Sequence, residues 1–452
     1  MFARLLIVAL PALAPQGQAP LFTDSERQAV VAYWSEPGRY TVGPAPVTPQ
    51  SGPYAVRLTP EGSAWLWKYN KARGLGKTPP SKNPGSSTIQ QRAWEDWINA
   101  KVARDRWEAG KKAEKLNTDA VGSTPILADT IEPPDPGPMP DDLQALVGDA
   151  PEFAACVQPK QHTIAFDSSL TLVYQDCVPM RARYAYYRFA QGVMSPGDSV
   201  KKMDPAEMDA LFKDAGVSAF EQKVMKAVST LEGGFDSINT YDTGFVSVGF
   251  IQFACLQSGA GSLGQLLLRY KNADPAGFQA DFRAFGIDVS PGAVLDVVDP
   301  VSGEELSGHD AAMKIVEEPR LAAVFQRAGK LSRKFRVAQL QTAKSMFYPG
   351  SDAVTFTLGG KTVTAKVADI FKTEAGMATL MDRKVNTGKL DPLSAVLTRI
   401  AQENGVETVS DLSDCEYDIT AAMRYRSDFL SDRVLAQPDR HGGRGGVNRK
   451  GS

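Results

Sequence analysis

The chain has 452 residues, of which 43% are hydrophobic and 23% are charged, enough for two or three domains. Its 50 basic and 52 acidic residues leave a formal net charge of −2, so no overall positive field draws it to nucleic acid or to an anionic membrane. The three histidines, His162, His309 and His441, share no metal-ligand spacing, and the sequence contains no GxxxxGK[ST] motif. These features argue against a zinc hydrolase, a Ser-His-Asp hydrolase and a P-loop enzyme, and they predict neither a metal nor a cofactor.

Residues 1–19 have the pattern of a secretory signal peptide. Arg4 precedes an apolar run, Leu5–Ala14, that is shorter than the roughly 20 apolar residues needed to span a bilayer. No later segment reaches that length, so the sequence predicts no membrane span. Pro15 and Pro20 follow the candidate cleavage points, which leaves an uncleaved apolar N-terminus as the alternative. The prediction is a secreted or periplasmic protein.

A helical module is predicted over residues 20–116. One of its helices begins at Thr59 and Pro60, a good N-cap and a first-turn proline, and the last begins with a capping-box pattern at Ser87 and Gln90. Tryptophans at helical spacing indicate a surface that packs on a partner, with sugar stacking as the alternative. These tryptophans are Trp65, Trp67, Trp94, Trp97 and Trp107. The module is therefore a candidate docking surface.

The rest of the chain divides at a proline-rich stretch. Residues 117–141 include the run Glu132–Pro140, which is typical of an extended linker. Residues 142–436 are dense in apolar residues with several helix-start patterns, and they predict a second, mainly helical domain. Within it, a Gly-Gly pair at 359–360 between two short strand patterns predicts a hairpin. The Gly- and Arg-rich residues 437–452 are predicted to be a disordered basic tail.

The four cysteines leave the redox state open. Cys156 and Cys177 flank a second hairpin pattern, Thr163–Tyr174, which would bring the two thiols close together. Either a disulfide or two free thiols fits this pattern. Cys255 lies in an apolar run and is expected to be a buried free thiol.

The stretch from Phe220 to Tyr270 carries the strongest chemical pattern. Apolar residues recur at helical spacing up to Leu231, and Glu232 follows, directly before two glycines that stop the helix. A carboxyl there meets the negative end of the helix dipole in a partly apolar setting, and both favour its protonated form. Glu232 is therefore a candidate general acid.

Beyond Glu232, residues 235–253 alternate partly like a strand, turn at Asp242-Thr-Gly and return apolar, which predicts a β-hairpin. The hairpin would hold Asp242 and Ser247 across a cleft from Glu232. Two such carboxyls can cleave a glycosidic bond, because one protonates the leaving oxygen while the other directs water at the opposite face. Asp242 is the candidate base, Ser247 would orient the water, and Asp236 is the alternative base.

Several neighbouring residues are weaker candidates. Tyr241 and Gln252 would line sugar subsites, although both also fit simple packing. Asp382 and Arg383 would form a structural ion pair behind the site. Asp242 itself also fits an ordinary turn position, since Asp-Thr-Gly favours turns.

These residues resemble the lysozyme-like superfamily. In that superfamily a Glu at the end of a helix is followed by a hairpin that bears an Asp and a hydroxyl residue, and then by a Gly. The order here is similar, with Glu232, Asp242, Ser247 and Gly249. The spacing of Glu232, Ser247 and Gly249 resembles that of phage-type lysozymes, whereas the following sequence is closer to the family 46 chitosanases. The segments similar to those chitosanases are Val248–Phe253, Ser258–Ser262, Leu263–Tyr270, Phe335–Gln339, Phe347–Pro349 and Met381–Arg383.

The resemblance covers residues 205–395 and implies an α+β, mainly α fold with two helical lobes around a cleft. It further implies an inverting glycoside hydrolase that cleaves β-1,4 bonds of an amino-sugar polymer, peptidoglycan before chitosan. Ser247 stands where the chitosanases have Thr, and Ser262 stands where they have Asp. The alternative is a catalytically inactive cell-wall glycan-binding or scaffold protein of the same fold.

Overall fold

The computed structural model describes residues 20–46, 52–73, 88–121, 131–167, 169–178 and 181–437. Over these residues the protein is a mixed α/β fold that is mainly helical, as the sequence predicted. Two predicted segments lie outside the described residues: the signal peptide, 1–19, and the basic tail from residue 438 onward.

Fifteen α-helices and fourteen short strands are formed by the described residues. The helices are α1 (Asp24–Ser35), α2 (Pro60–Ala72), α3 (Ile89–Val121), α4 (Asp141–Val147), α5 (Pro205–Asp214), α6 (Ala219–Ser229), α7 (Gly261–Ala273), α8 (Pro275–Asp281), α9 (Gly308–Glu317), α10 (Pro319–Leu331), α11 (Arg333–Phe347), α12 (Val367–Ile370), α13 (Glu374–Thr387), α14 (Leu393–Asn404) and α15 (Glu416–Met423). The strands are β1 (Tyr40–Pro44), β2 (Ala55–Leu58), β3 (Ala154–Val157), β4 (Lys160–Ala165), β5 (Thr171–Gln175), β6 (Met194–Ser195), β7 (Ile238–Asn239), β8 (Ser247–Val248), β9 (Phe253–Ala254), β10 (Ile287–Val289), β11 (Leu295–Val298), β12 (Glu305–Ser307), β13 (Ala353–Leu358) and β14 (Lys361–Lys366).

The strands pair antiparallel in small separate sheets. Their orders are β1-β4-β5, β2-β3, β6-β7-β8-β9, β10-β11-β12 and β13-β14. The strands of the four-stranded sheet have only two residues each, so the sheet depends on the helices packed around it. This sheet carries the candidate hairpin.

Helix α10 lies at the centre of the main hydrophobic core. Ten of its 13 residues are buried, and it packs against α8, α9, α11, β4 and β7. A helix buried around most of its circumference is typical of the interior of a large domain. Gly329 allows α10 to approach the chain ahead of β7 closely, because a Cβ at this position would lie 2.5 Å from Asp236 Cα.

A second core belongs to a smaller unit, which we call the α2–α3 module: residues 52–73, 88–121 and 131–157. β3, which follows the proline-rich stretch, pairs with β2, which precedes it, and α3 packs on both strands. The buried residues of this core are Trp65, Leu66, Tyr69, Ile98, Val102, Leu143, Phe153 and Ala185. The proline-rich stretch therefore runs inside the module, and the segment 142–157 packs with the module instead of with the following domain.

The first helix and strand pack elsewhere. β1 pairs with β4, and Phe22, Val30 and Trp34 belong to the main core. The Trp34 indole N–H donates to Phe285 O at 3.2 Å. The predicted module of residues 20–116 is thus divided in the structure, with α1 and β1 on the main core and the rest in the α2–α3 module.

The predicted helix starts are mostly confirmed. Thr59 caps α2, accepting from Gly62 N at 3.0 Å, with Pro60 in the first turn. The capping box of α3 is formed by Thr88 and Gln91, one residue later than predicted. α3 also continues five residues beyond 116, to Val121. Its last turn is held by Asn117, whose side chain pairs with the backbone N–H and C=O of Tyr54.

Both predicted hairpins are present, but the disulfide is not. β4 pairs with β5, and β13 pairs with β14 across the Gly359-Gly360 turn, in which both glycines have positive φ. All four cysteines are free thiols. Cys156 lies in β3, which pairs with β2 in a different sheet, so the β4–β5 hairpin does not bring it to Cys177. Cys255 is buried, as expected.

Among the helices of the described ranges, none combines the length and the apolar character that crossing a bilayer requires.

Candidate functional site

Glu232 lies just beyond the end of α6. The helix ends at Ser229, and the Glu232 amide donates to Ser229 O at 3.0 Å in the turn that follows. Its side chain is 10% exposed. Burial raises the pKa of Glu232, and the positive charge of Arg426, which donates a hydrogen bond to Oε1, opposes that shift. The carboxyl is therefore enclosed, as a general acid requires, but it has a cation beside it.

Arg426 joins two acidic residues that are far apart in sequence. Its Nε donates to Asp382 Oδ1 at 2.9 Å, and its Nη2 reaches both Asp382 and Glu232. Asp382 is 1% exposed, so this is a largely buried acid–arginine–acid group. The predicted pair of Asp382 with Arg383 is wrong. Arg383 points away and donates to backbone oxygens, including Met423 O at 3.2 Å.

The predicted hairpin after Glu232 is confirmed. β7 pairs with β8 in the register Ile238↔Val248 and Asn239↔Ser247, and Asp242 lies in the connecting loop. Two donors from the hairpin hold the Asp242 carboxyl: Asn239 Nδ2 on Oδ2 and the Gly244 amide on Oδ1, each at 2.8 Å.

A second segment encloses Asp242 from the other side. Tyr187 forms a β-bridge with Asp242, and the Tyr184 hydroxyl hydrogen-bonds the carboxyl. Burial raises the pKa of Asp242, whereas its hydrogen bonds and the nearby charge of Arg188 favour the ionised form. Arg188, Tyr184 and Tyr241 are the titratable groups that face this carboxyl.

The structure brings Ser247 and Asp242 together at Gly244. A Cβ at Gly244 would lie 2.5 Å from Ser247 Oγ and 3.1 Å from Asp242 Oδ1, so both oxygens face the same point. Ser247 is buried on β8. A buried hydroxyl thus lies beside the carboxyl of the candidate base.

Asp236, the alternative base, is in a different environment. It is buried, its Oδ2 lies 2.9 Å from Lys330 Nζ, and its Oδ1 accepts from the Asp198 amide at 2.7 Å. Gly329 of α10 closes over its backbone. These contacts give Asp236 a structural role, tying the start of the hairpin to α10.

The two predicted subsite residues differ from each other. Gln252 donates to Ser237 Oγ at 2.6 Å and has a φ of 55°, so it braces the hairpin from within. Tyr241 is half-buried, and its ring centroid lies 6.2 Å from those of both Tyr184 and Tyr187. Tyr241 therefore belongs to an aromatic cluster beside Asp242.

Tyr186 extends this aromatic cluster. The ring centroids of Tyr184 and Tyr186 are 5.5 Å apart. Burial together with the nearby Tyr425 raises the pKa of Tyr186 to about 12. In the sequence, Tyr425 directly precedes Arg426, the partner of Glu232.

Glu232 and Asp242 are connected along the chain by the residues that enter β7. Gly233 packs against Ser237, since a Cβ at Gly233 would lie 2.7 Å from Ser237 Oγ. Two residues after Ser237, Asn239 donates a hydrogen bond to Asp242. These contacts link the turn after α6 to the loop that carries Asp242.

Sequence reasoning missed three members of this site: Arg426, Tyr184 and Arg188. All three lie outside the stretch 220–270, and no local motif marks them. Within the described ranges, no group of three or more His, Cys, Asp or Glu side chains is arranged to hold a metal ion. Comparison with family models, with curated proteins and with solved structures finds no match to this chain.

Proposed function

We propose that the protein is a glycoside hydrolase with a lysozyme-like site, which cleaves β-1,4 bonds of an amino-sugar polymer, peptidoglycan or chitosan. The observation that carries the proposal is that two enclosed carboxyls lie on consecutive elements, Glu232 just after α6 and Asp242 in the β7–β8 loop, with tyrosines packed beside Asp242. The helix-end Glu followed by a hairpin with Asp and Ser supports the lysozyme-like two-lobed arrangement as part of the same proposal.

The chemistry divides between the two carboxyls. Glu232, whose pKa is raised by burial, would donate a proton to the leaving glycosidic oxygen. Asp242, whose hydrogen bonds and the nearby Arg188 favour the ionised form against the effect of burial, would accept a proton from water that Ser247 helps to orient. Tyrosine faces are suited to stacking on sugar rings, because the rings are flat, partly apolar and carry a polar hydroxyl. Export, predicted from residues 1–19, would deliver the enzyme to a cell-wall glycan.

One observation favours the alternative, an inactive glycan-binding protein. Arg426 donates a hydrogen bond to Glu232, and an adjacent cation favours the ionised form of a carboxyl over the protonated form. If that contact persists when a sugar is bound, Glu232 would have no proton to donate. The tyrosines beside Asp242 would then bind a glycan without cleaving it.

Product analysis separates the two candidates. The wild type and Glu232→Gln are each incubated with purified peptidoglycan and with partly acetylated chitosan, and the soluble fragments are identified by mass spectrometry. Gln keeps the shape of Glu but cannot donate the proton. Fragments that the wild type releases and the variant does not would support hydrolysis, with the digested polymer naming the substrate.

The matched control is Glu403→Gln, the same substitution at an exposed residue that pairs with Arg399 on the surface of α14. It should release fragments at the wild-type rate. If the wild type cuts neither polymer but sediments with one of them, the binding alternative replaces the hydrolase. If it neither cuts nor sediments, both proposals fail.

A further inference from the structure

The α2–α3 module reaches the Asp242 loop through residues 181–189, which lie between the two. On the module side, Ala185 is part of the module's core, and Arg183 donates to Glu95 Oε2 at 2.6 Å and to Asn99 Oδ1 at 2.8 Å. The segment is therefore fixed to α3 by charge-assisted hydrogen bonds and to the module's core by apolar packing.

The opposite side of the segment holds the Asp242 loop by its backbone. Thr243 N donates to Tyr186 O at 3.0 Å, and the amides of Arg188 and Phe189 donate to Tyr241 O at 2.8 and 3.1 Å. These bonds flank Asp242 on both sides in sequence. Any shift of the segment would therefore move the loop that carries the candidate base.

Ser63, on α2, is the contact at which the module meets the groups around Asp242. It is fully buried, its Oγ donates to Tyr184 O at 2.6 Å, and it accepts from Arg188 Nη1 at 3.3 Å. Tyr184 and Arg188 are the two groups of the segment that favour the ionised form of Asp242. One hydroxyl of the module thus contacts both.

We propose that Ser63 is a positioning residue for Asp242, acting through Tyr184 and Arg188, and that the α2–α3 module is in this way a working part of the active site. The proposal rests on the proposed function. It gives the module a role within the chain, where the sequence alone indicated a docking surface for another partner.

The effect of removing the hydroxyl follows from its two bonds. In Ser63→Ala, the buried Tyr184 carbonyl loses its donor and Arg188 loses an acceptor, so both residues are less firmly held. Asp242 would then lose part of the stabilisation of its charged form while its burial remains. Its pKa would rise further, and the acidic limb of the rate profile would move to higher pH.

The experiment measures kcat and KM against pH for the wild type, Ser63→Ala and Ser63→Cys, the last of which keeps the side-chain volume but is a weak donor. The expected result in both variants is a fall in kcat of about tenfold below neutral pH, the equivalent of one hydrogen bond, with a smaller change in KM. Asn117→Ala is the control, because it removes the bonds that hold the end of α3 to Tyr54, and these bonds involve neither Ser63 nor the segment 181–189. It should lower the melting temperature and leave the pH profile unchanged.

A second readout does not depend on turnover. Carbodiimide labelling of Asp242 is followed against pH by peptide mass spectrometry, and its midpoint should move to higher pH in the two Ser63 variants but not in Asn117→Ala. If the wild type cleaves neither polymer, the proposed function fails and the labelling alone decides the positioning role. Wild-type labelling midpoints in both Ser63 variants, or an equal shift in Asn117→Ala, would overturn the inference.

Discussion

Replacing Arg426 by Ala tests the acid–arginine–acid group most directly. The substitution leaves Glu232 and Asp382 enclosed without the cation that they share. Removing one partner of a buried ion pair usually costs 3–5 kcal/mol. Because the Arg426 side chain is 31% exposed, water reaches its guanidinium, and we expect the lower end of that range, about 3 kcal/mol.

The loss of stability in Arg426→Ala should depend on pH. The pKa of Glu232 in the folded protein is already above its ordinary value, so the folded state is favoured at low pH and loses stability as pH rises through that pKa. Arg426 limits this loss, because it stabilises the ionised form. Arg426→Ala should therefore be more harmful at about pH 8 than at about pH 5, where Glu232 can accept a proton.

The assay is urea unfolding at the two pH values, followed by tryptophan fluorescence. Arg424→Ala is the matched control, since Arg424 is 54% exposed and pairs with an exposed Asp428 at 3.2 Å. An exposed pair contributes up to about 1 kcal/mol, so this control should change little. A loss in Arg426→Ala no larger than in the control, or a loss that grows on acidification, would refute the reasoning.

Three shorter predictions concern the fold and the base. Asp242→Asn should abolish cleavage of the polymer, whereas Asp236→Asn should lower stability but keep cleavage, because it breaks the buried pair with Lys330; activity and urea unfolding are measured for both, and cleavage that persists in Asp242→Asn but is lost in Asp236→Asn would make Asp236 the base. Gly329→Ala should cost roughly 1–3 kcal/mol in urea unfolding, because its methyl group would press on the backbone of Phe235 and Asp236; an unchanged midpoint would show that α10 can move aside. Unfolding without reductant should expose four thiols to a thiol reagent, and two would indicate a disulfide.

Features encoded by neighbouring residues could be predicted from the sequence. Asp204 before Pro205 and Ser218 with Glu221 give α5 and α6 their starts, because a cap and its partner lie within one helical turn. The hairpin that carries Asp242 was likewise predicted from alternation and a turn, and these depend only on adjacent residues. The elements on which Glu232 and Asp242 lie, the end of a helix and the loop of a hairpin, could therefore be predicted from such local patterns.

The partners of those carboxyls could not be predicted in the same way. Adjacency in the sequence predicts an ion pair of Asp382 with Arg383. Consecutive residues on a helix point about 100° apart, however, and Asp382 instead accepts a hydrogen bond from Arg426. The pairing of β2 with β3 across the long helix α3 has no local signal either. Long-range contacts of this kind decide which groups surround the site, and a single sequence does not show them.

The distance along the chain between Glu232 and Arg426 has a consequence for how the protein is made. The two residues are separated by 194 positions, so at translation rates of about 5–20 residues per second the ribosome needs roughly 10–40 s to supply the cation after the acid has been synthesised. During that interval Glu232 has no cation beside it, and α6, the helix that precedes it, also lacks its packing partner α13 until residues 374–387 are made. Ribosome pausing before residue 426 would therefore lengthen the life of an immature species, and such a species is what chaperones and proteases act on first.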